Sequence, residues 1–205
     1  MYKGERFNSI SHLIGTVLSI AAASVLITLA VLKEDPWRII GFSIYGIMMI
    51  TLYATSTLYH SFPKGPVKDF LRKMDHLSIY LMIAGTYTPF TLITLHGIWG
   101  WTIFGVIWGL ALLGILQELT IGKKSRKLSI LIYILMGWLI VVATQPLTEK
   151  LPNAALYWLL AGGLFYTLGI LVYVKDEVIP HGHGIWHLFV LAGSLCHFAC
   201  LVGYL

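Results

Sequence analysis

Long runs of hydrophobic residues, separated by short polar and basic segments, recur along the whole chain. No Asp, Glu, Lys or Arg occurs between Arg6 and Lys33, between Arg38 and Lys64, or within residues 76–117. The same holds for three further runs, 128–148, 151–174 and 178–205. A helix that crosses a membrane needs about 20 consecutive apolar residues. Each run is therefore long enough for one span, and the run at 76–117 is long enough for two.

The longest of these runs is interrupted by a turn. Gly97 and Gly100 lie in the segment HGIWG at 96–100, and closely spaced glycines of this kind mark turns. The pattern therefore predicts an all-α integral membrane protein, a seven-helix bundle that forms one transmembrane domain over residues 1–205. The predicted spans are roughly 10–32, 39–61, 75–95, 99–117, 128–147, 153–174 and 182–204.

Composition is that expected of a chain embedded in lipid. Hydrophobic residues make up 58% of the sequence and charged residues 11%, whereas soluble domains carry about 25% charged residues. A soluble globular enzyme is thus excluded. The first hydrophobic run is span-length and lacks a clear small-x-small cleavage site, so it predicts a transmembrane helix and not a cleavable signal peptide. Cys196 and Cys200 lie one helical turn apart in the last span, where we expect them to pack.

The basic residues predict the orientation of the bundle. Lys and Arg concentrate in the cytoplasmic loops of membrane proteins. With the N-terminus inside, three of the fourteen Lys and Arg residues fall outside: Lys33, Arg38 and Lys150. The eleven on the cytoplasmic side are Lys3, Arg6, Lys64, Lys68, Arg72, Lys73, Lys123, Lys124, Arg126, Lys127 and Lys175. We therefore expect a cytoplasmic N-terminus and an external C-terminus.

The net charge of +5 is explained by this orientation. Basic loops at the inner face attract anionic lipid headgroups, so the charge indicates the lipid bilayer as a partner and no nucleic acid. The sequence does not indicate an oligomeric state.

Polar residues from three spans are predicted to lie at one depth. His60 lies in the last cytoplasmic turn of the second span, and Ser56 lies one turn deeper on the same face. Asp75 begins the third span on the cytoplasmic side. His183 and His187 occupy the first two turns of the seventh span. Four potential metal ligands from three helices therefore meet near the inner face.

The residue types and their spacing favour Zn²⁺. Imidazoles at i and i+4, such as His183 and His187, lie about 6 Å apart on one helix face and can both reach one ion, as in H-E-x-x-H zinc helices. A third imidazole, from His60, leaves a fourth position open, which is the pattern of catalytic zinc sites. The carboxylate of Asp75 would bind the ion or hold its water.

Each of these residues also has a structural interpretation. Intramembrane histidines can hydrogen-bond between helices without a metal. Asp75 can serve as the N-cap of the third span. Ser56 can hydrogen-bond to a carbonyl of its own helix. The sequence leaves these interpretations open.

The remaining histidines are not expected to bind this metal. His197 is on a similar helix face to His183 but lies about 21 Å higher, at 1.5 Å per residue. We expect three others to face headgroups, loops or the outer side of the membrane: His76, His96 and His181. His12, at the inner end of the first span, has either a supporting position beside the metal site or a packing role.

Three motifs taken together resemble a known family. They are S-x-x-x-H at 56–60, the aspartate that opens the next span, and H-x-x-x-H at 183–187. This set is similar to the progestin and adipoQ receptor family, whose bacterial branch is the haemolysin III family. The segments ERFNSISH at 5–12 and DHLSIYLMIAGTYTPF at 75–90 resemble that bacterial branch in particular. The resemblance runs the length of the chain.

The resemblance implies a seven-helix membrane protein with zinc near the cytoplasmic face. The metal would be held by His60, His183 and His187, with Asp75 and Ser56 beside it. The wider superfamily includes alkaline ceramidases, which implies hydrolysis of a lipid amide. The adiponectin receptors have a long cytosolic N-terminal region, whereas this chain has about nine residues there, so we expect no partner surface of that type.

We therefore predict a zinc-dependent hydrolase of a lipid amide or ester, a multi-pass protein of a bacterial cell membrane. Asp75 would act as the general base, and Ser56 would donate to the developing oxyanion. A membrane lipid is the expected substrate or ligand. Three other interpretations stay open: a lipid-sensing receptor or membrane-homeostasis protein without turnover, a pore-forming haemolysin, and a bis-histidine haem protein.

Overall fold

Seven long helices make up the structure, a computed structural model that describes residues 1–2, 4–120 and 126–205. Each helix is long and apolar enough to cross a membrane, and no β-strand occurs in the residues described. The predicted seven-helix membrane protein is thus confirmed. The helices are α1 (Arg6–Leu32), α2 (Pro36–Ser61), α3 (Pro66–Leu95), α4 (Gly97–Thr120), α5 (Arg126–Lys150), α6 (Asn153–Val174) and α7 (Gly182–Tyr204).

Helix α3 lies at the centre of the bundle. In its most apolar stretch 72% of the residues are buried, against 17% in α5 and in α6, so α5 and α6 present most of their surface to lipid. Helix α1 packs against α2 and α7, α2 packs against α3, and α6 packs against α7. This packing brings the end of α2, the first turns of α3 and the start of α7 together on the side where α1 begins, which is the predicted cytoplasmic side.

The orientation itself stays a prediction. Three of the basic residues on which it depends, Lys3, Lys123 and Lys124, lie outside the described residues.

Helix α3 begins earlier than predicted, at Pro66 instead of residue 75. Proline is favoured at the first helical position because its φ is already helical, and Asp69 in the first turn complements the helix dipole. Residues 67–74, in which four charged side chains alternate with apolar ones, thus form about two turns that precede the charge-free span. As a result Asp75 lies inside the helix, and its interpretation as an N-cap is wrong. Helix α1 likewise begins at Arg6.

The turn predicted between the third and fourth spans is confirmed. Helix α3 changes to a π-helix over Phe90–Leu95 and ends at His96, whose φ is 41°. Gly97 follows with a φ of 56°, a left-handed conformation that glycine adopts without steric cost. The Lys150 ammonium donates to the carbonyl oxygen of Leu95 at 2.8 Å and so satisfies one of the carbonyls left free at the helix end.

Helix α5 is not continuous, although the hydrophobic pattern predicted a single span. It is α-helical over Arg126–Trp138, forms a 3₁₀ segment over Leu139–Ala143, and continues as an α-helix over Thr144–Lys150. The hydroxyl of Tyr87, from α3, accepts the backbone N–H of Ile140 at 2.9 Å and donates to the carbonyl of Met136 at 2.7 Å. It thereby satisfies backbone groups that the break removes from the helical ladder.

Candidate metal centre

The three histidines predicted to bind a metal lie together in the structure. His60 is in the last turn of α2, and His183 and His187 are in the first turns of α7. One ligand atom of each ring lies within 4.8 Å of the others, a spacing that allows all three to reach one ion. His60 and His187 are buried. The convergence expected from helix topology is therefore present, while metal binding stays a prediction.

Two of the imidazoles donate to carboxylates. His60 is hydrogen-bonded through Nδ1 to the carboxylate of Glu5, and His183 Nδ1 lies 2.8 Å from Oδ2 of Asp176. An ionised carboxylate only accepts hydrogen bonds, so each Nδ1 carries a proton, and in the neutral form of each ring the lone pair is on Nε2. Carboxylate–histidine pairs of this kind orient metal ligands and raise their basicity.

The third imidazole, His187, is held by the start of α1. Its Nδ1 lies 3.0 Å from the carbonyl oxygen of Asn8 and 3.0 Å from the hydroxyl oxygen of Ser11. Ser11 uses its own proton toward the Asn8 carbonyl, at 2.9 Å. Nδ1 of His187 is therefore the donor to both oxygens, and its Nε2 also presents a lone pair.

The three Nε2 atoms share a property that fits a metal ion. Each is buried and has no hydrogen-bond partner within the described part of the chain. A buried lone pair without a partner is costly, above all in a membrane. Three imidazoles that converge from two helices match the donor set of catalytic zinc sites, which leave a fourth position for water or substrate. The residues present therefore fit zinc.

The start of α1 can supply these partners because it packs closely against α7. Gly184 permits this approach, since a Cβ atom at that position would fall 2.3 Å from the ring of Phe7. With the two helices in contact, Glu5, Asn8 and Ser11 reach the histidine rings. A larger residue at Gly184 would push α1 away from the centre.

Glu5 is a carboxylate shared between His60 and Lys68. Its Oε1 accepts from the Lys68 ammonium at 2.8 Å. Burial raises the pKa of the Glu5 carboxyl, but the hydrogen bonds and charges of His60 and Lys68 together lower it more, to about 2. The carboxyl is therefore ionised at neutral pH, as an acceptor for the His60 Nδ1 proton must be.

Asp75 and Ser56 form a buried pair beside the histidines. Asp75 is 6% exposed and Ser56 is 1% exposed, and the Ser56 hydroxyl lies close to the Asp75 carboxylate. Ser56 is therefore placed to donate toward α3. The Asp75 carboxylate interacts electrostatically with His60 and His183, yet it is not part of the three-histidine group. It lies near the ion site without the close spacing of the three imidazoles.

His12 packs on the metal centre from α1. Its ring stacks on that of His187, with centroids 3.5 Å apart and an interplanar angle of 9°, and it meets the Tyr53 ring edge-on at 5.0 Å. Both of its ring nitrogens are buried, and neither finds a hydrogen-bond partner in the described residues. His12 therefore offers one donor and one acceptor to a group that enters the site.

A cavity of about 350 Å³ begins at this site. His12 and Asp75 line one end, and Phe90 and Leu147 line the other. Asp75 and Phe90 are separated by fifteen residues of α3, or about 22 Å at 1.5 Å per residue. The wall between them is mainly aliphatic and aromatic. The cavity therefore has a length and a lining suited to a lipid acyl chain.

The other histidines do not join the three-histidine group. His96 ends α3 on the far side of the bundle, His181 precedes α7, and His197 packs against the backbone of α6. His76 differs from the expectation that it faces headgroups or a loop. Its Nδ1 is hydrogen-bonded to Glu118 of α4 at 2.9 Å, a contact that depends on how α3 and α4 pack.

The hydrogen-bond partners of the histidines were not predicted. Glu5 and Asn8 were noticed only as part of a family motif, and Ser11 and Asp176 had no predicted role. A carboxylate beside a metal-binding histidine is common, so Asp176, seven residues before His183, was the available signal.

The two cysteines of the last span, Cys196 and Cys200, are free and buried.

The fold and the site together define a multi-pass membrane protein with a buried three-histidine centre that can hold a metal ion. The family profile described as Haemolysin-III related matches residues 1–198. The chain belongs to this family, and the resemblance carried by the three motifs is confirmed.

Relatives match over nearly the whole chain. Hemolysin-3 of Bacillus cereus is 45% identical over 202 residues, which cover 98% of this chain and 92% of that protein. The Hemolysin-3 homolog of Bacillus subtilis (strain 168) is 43% identical over 202 residues, 98% and 94% of the two chains. The monocyte to macrophage differentiation factor of Homo sapiens is 30% identical over 181 residues, 85% and 74% of the two chains. No solved structure matches the chain.

Proposed function

We propose that this protein is a zinc-dependent hydrolase that cleaves an amide or ester bond of a membrane lipid, in the cell membrane of a bacterium. One observation carries the proposal: His60, His183 and His187 converge near Asp75, and Asp75 itself lines the end of an apolar cavity. The site thus combines a place for a metal ion, a carboxylate and a place for an acyl chain. A metal-dependent lipid hydrolase needs all three.

Zinc suits this donor set because it prefers imidazole nitrogen in four-coordinate sites. When bound, it supplies Lewis acidity that polarises a carbonyl oxygen and makes water more acidic. Glu5, Asp176 and the Asn8 carbonyl accept the three Nδ1 protons and so keep each ring in the tautomer that presents Nε2. The chain therefore holds its three donors in a fixed orientation.

Asp75 is the proton acceptor in this proposal. An ionised carboxylate close to the histidine centre can take the proton of the attacking water, and a well-placed base contributes about 10²- to 10⁴-fold to a rate. Ser56 donates its hydroxyl proton to Asp75, which holds the carboxylate in one orientation. The role of Ser56 therefore changes from the oxyanion donor expected from sequence to a residue that positions the base.

The cavity determines how the lipid lies. Its apolar length accommodates an acyl chain, and its polar end, at His12 and Asp75, receives the amide or ester group. His12 has one donor and one acceptor free for that group. The scissile bond would thereby lie next to Asp75 and His12, the two cavity residues that adjoin the three imidazoles.

Metal analysis followed by a hydrolysis assay tests this proposal. Purified protein should hold about one zinc per chain, and His60→Ala, His183→Ala and His187→Ala should each lose most of it. His96→Ala is the matched control, since the same substitution falls at the far end of α3. Release of free fatty acid from a panel of amide and ester lipids should stop on chelation and return with added zinc. Zinc retained by all three histidine variants, or no fatty acid released from any lipid, contradicts the proposal.

A lipid-binding protein without turnover is the second candidate, because the cavity and the metal centre can hold a lipid without cleaving it. A receptor or membrane-homeostasis protein would have this property. The same lipid panel separates the two functions: bound lipid without released fatty acid favours the receptor, and zinc-dependent release favours the hydrolase.

The Bacillus cereus relative is named Hemolysin-3, and a pore is one way in which a haemolysin could lyse cells. The cavity of the present chain argues against a pore, since its wall is mainly aliphatic and aromatic, whereas water-filled channels have polar linings. Conductance of the purified protein in a planar bilayer would favour a pore. A haem bound between two histidines would give a Soret band, and its absence would exclude that interpretation.

A further inference from the structure

A second polar group lies in the wall of the cavity, away from the metal centre. Tyr166 of α6 and His197 of α7 both line the cavity, and their ring centroids are 5.6 Å apart. His197 lies ten residues beyond His187, or about 15 Å along the helix axis at 1.5 Å per residue. The two rings therefore lie at mid-depth in a cavity whose wall is otherwise mainly apolar.

The backbones of both helices make room for these rings. At Gly162 of α6 a Cβ atom would fall 2.3 Å from Nε2 of His197, and at Gly193 of α7 it would fall 2.8 Å from the ring of Tyr166. Each ring thus packs against a glycine of the opposite helix. The reciprocal arrangement holds the imidazole and the phenol in place before any ligand is present.

His197 presents an unused acceptor. Its Nε2 donates to the carbonyl oxygen of Leu159 at 3.3 Å, which leaves Nδ1 as the atom with the lone pair. His197 is 6% exposed, and its Nδ1 is buried with no hydrogen-bond partner in the part of the chain that the structure describes. A buried acceptor without a donor lowers stability unless a ligand or a water supplies one.

Tyr166 can present an unused donor. The Tyr53 hydroxyl donates to Oγ of Ser194 at 2.6 Å, and Oγ of Ser194 lies 2.8 Å from the Tyr166 hydroxyl. Because Ser194 receives a proton from Tyr53, it can pass its own toward Tyr166. The proton of the Tyr166 hydroxyl is then free for a group in the cavity.

We infer that Tyr166 and His197 together bind a hydroxyl group on the acyl chain of the ligand. Tyr166 donates to the hydroxyl oxygen, and Nδ1 of His197 accepts the hydroxyl proton. A hydroxyl is both donor and acceptor, so a single group satisfies both residues. The substrate class is therefore a lipid whose acyl chain carries a hydroxyl near its middle. This inference rests on the lipid-binding part of the proposed function and does not need hydrolysis.

Binding of two fatty acids that differ by one hydroxyl tests the inference. Ricinoleic acid has a mid-chain hydroxyl, and oleic acid is the same chain without it. Isothermal titration of the full-length, zinc-loaded protein in detergent should give about tenfold tighter binding of ricinoleic acid, as two buried hydrogen bonds predict. Tyr166→Phe and His197→Leu should each bring the ratio of the two affinities close to one.

Tyr45→Phe is the matched control. It removes a buried tyrosine hydroxyl that bonds to the Ser194 carbonyl but does not line the cavity, so the preference should persist. Equal affinities in the wild-type protein overturn the inference, as does a preference that survives Tyr166→Phe. If the preference is found but no lipid is hydrolysed, the proposed reaction fails and this site stands. If hydrolysis is found without the preference, only this site fails.

Discussion

The variant Asp75→Asn separates a catalytic carboxylate from a metal ligand and from a structural group. Asn has the same shape and can accept the hydrogen bond from Ser56, but it cannot take a proton. Helix α3 begins at Pro66, so Asp75 caps no helix end and no capping interaction is lost. Asp75 is also not part of the three-histidine group. We therefore expect normal zinc content together with a large loss of hydrolysis.

The size of this loss follows from the role of the residue. Removal of a general base lowers a rate by about 10²- to 10⁴-fold, which corresponds to about 3–5 kcal/mol in the activation barrier. The free energy of unfolding should change by about 1 kcal/mol or less, since the bond to Ser56 persists in a weaker neutral form. Removing a charge from a side chain that is 6% exposed offsets part of that weakening.

The assay compares initial rates of fatty acid release with zinc content in the same preparations. Asp69→Asn is the matched control, because it makes the same substitution in the same helix at a side chain that is 69% exposed and pairs with Arg72. Its rate should equal that of the wild type. Loss of zinc from Asp75→Asn would make Asp75 a ligand and refute its role as base. An unchanged rate with unchanged zinc would refute the hydrolytic mechanism.

Three further predictions concern the partners of the metal ligands, the break in α5 and the orientation. Asp176→Asn should weaken zinc affinity about 10- to 100-fold, because His183 Nδ1 then donates to a neutral amide oxygen in place of a charged carboxylate, and a chelator competition measures this. Glu177→Gln, at the exposed neighbouring position, should have no effect. Tyr87→Phe should lower the free energy of unfolding by about 1–3 kcal/mol, since the Ile140 N–H loses its partner. Thermal unfolding measures this change. An unchanged midpoint would show that the hydroxyl does not stabilise the backbone at the break in α5. A C-terminal alkaline phosphatase fusion should be active, and a C-terminal fluorescent protein that matures only in the cytoplasm should be dark. The opposite pair of results would put the metal centre at the outer face.

The membrane is the reason that much of this protein could be predicted from sequence. A chain in lipid must satisfy its backbone within helices, so charge-free runs of sufficient length correspond directly to spans. Once the spans alternate in direction, residues near their ends fall into two layers. His60 ends one span and His183 and His187 begin another, and this topology alone was enough to predict that they meet.

The details of the site depend on contacts that no local pattern contains. The tautomer of each imidazole is set by Glu5, Asn8 or Asp176, and Asn8 reaches the ring of His187 because α1 packs closely on α7 at Gly184. Whether Asp75 caps α3 or lies inside it depended on where the helix begins. That start is set by Pro66, ahead of the apolar run.

Sequence alone determined the number of helices, their approximate bounds and the depth of the three histidines, because hydrophobic length and helix direction are properties of each span by itself. Tertiary structure decided the break in α5, the pairing of Ser56 with Asp75, the pairing of His76 with Glu118, and the cavity. Each of these requires a side chain of one helix to meet a group of another. Whether the two groups meet depends on how the packed helices are rotated and how far apart they lie. A span that is apolar on nearly every face has no hydrophobic pattern that indicates its rotation.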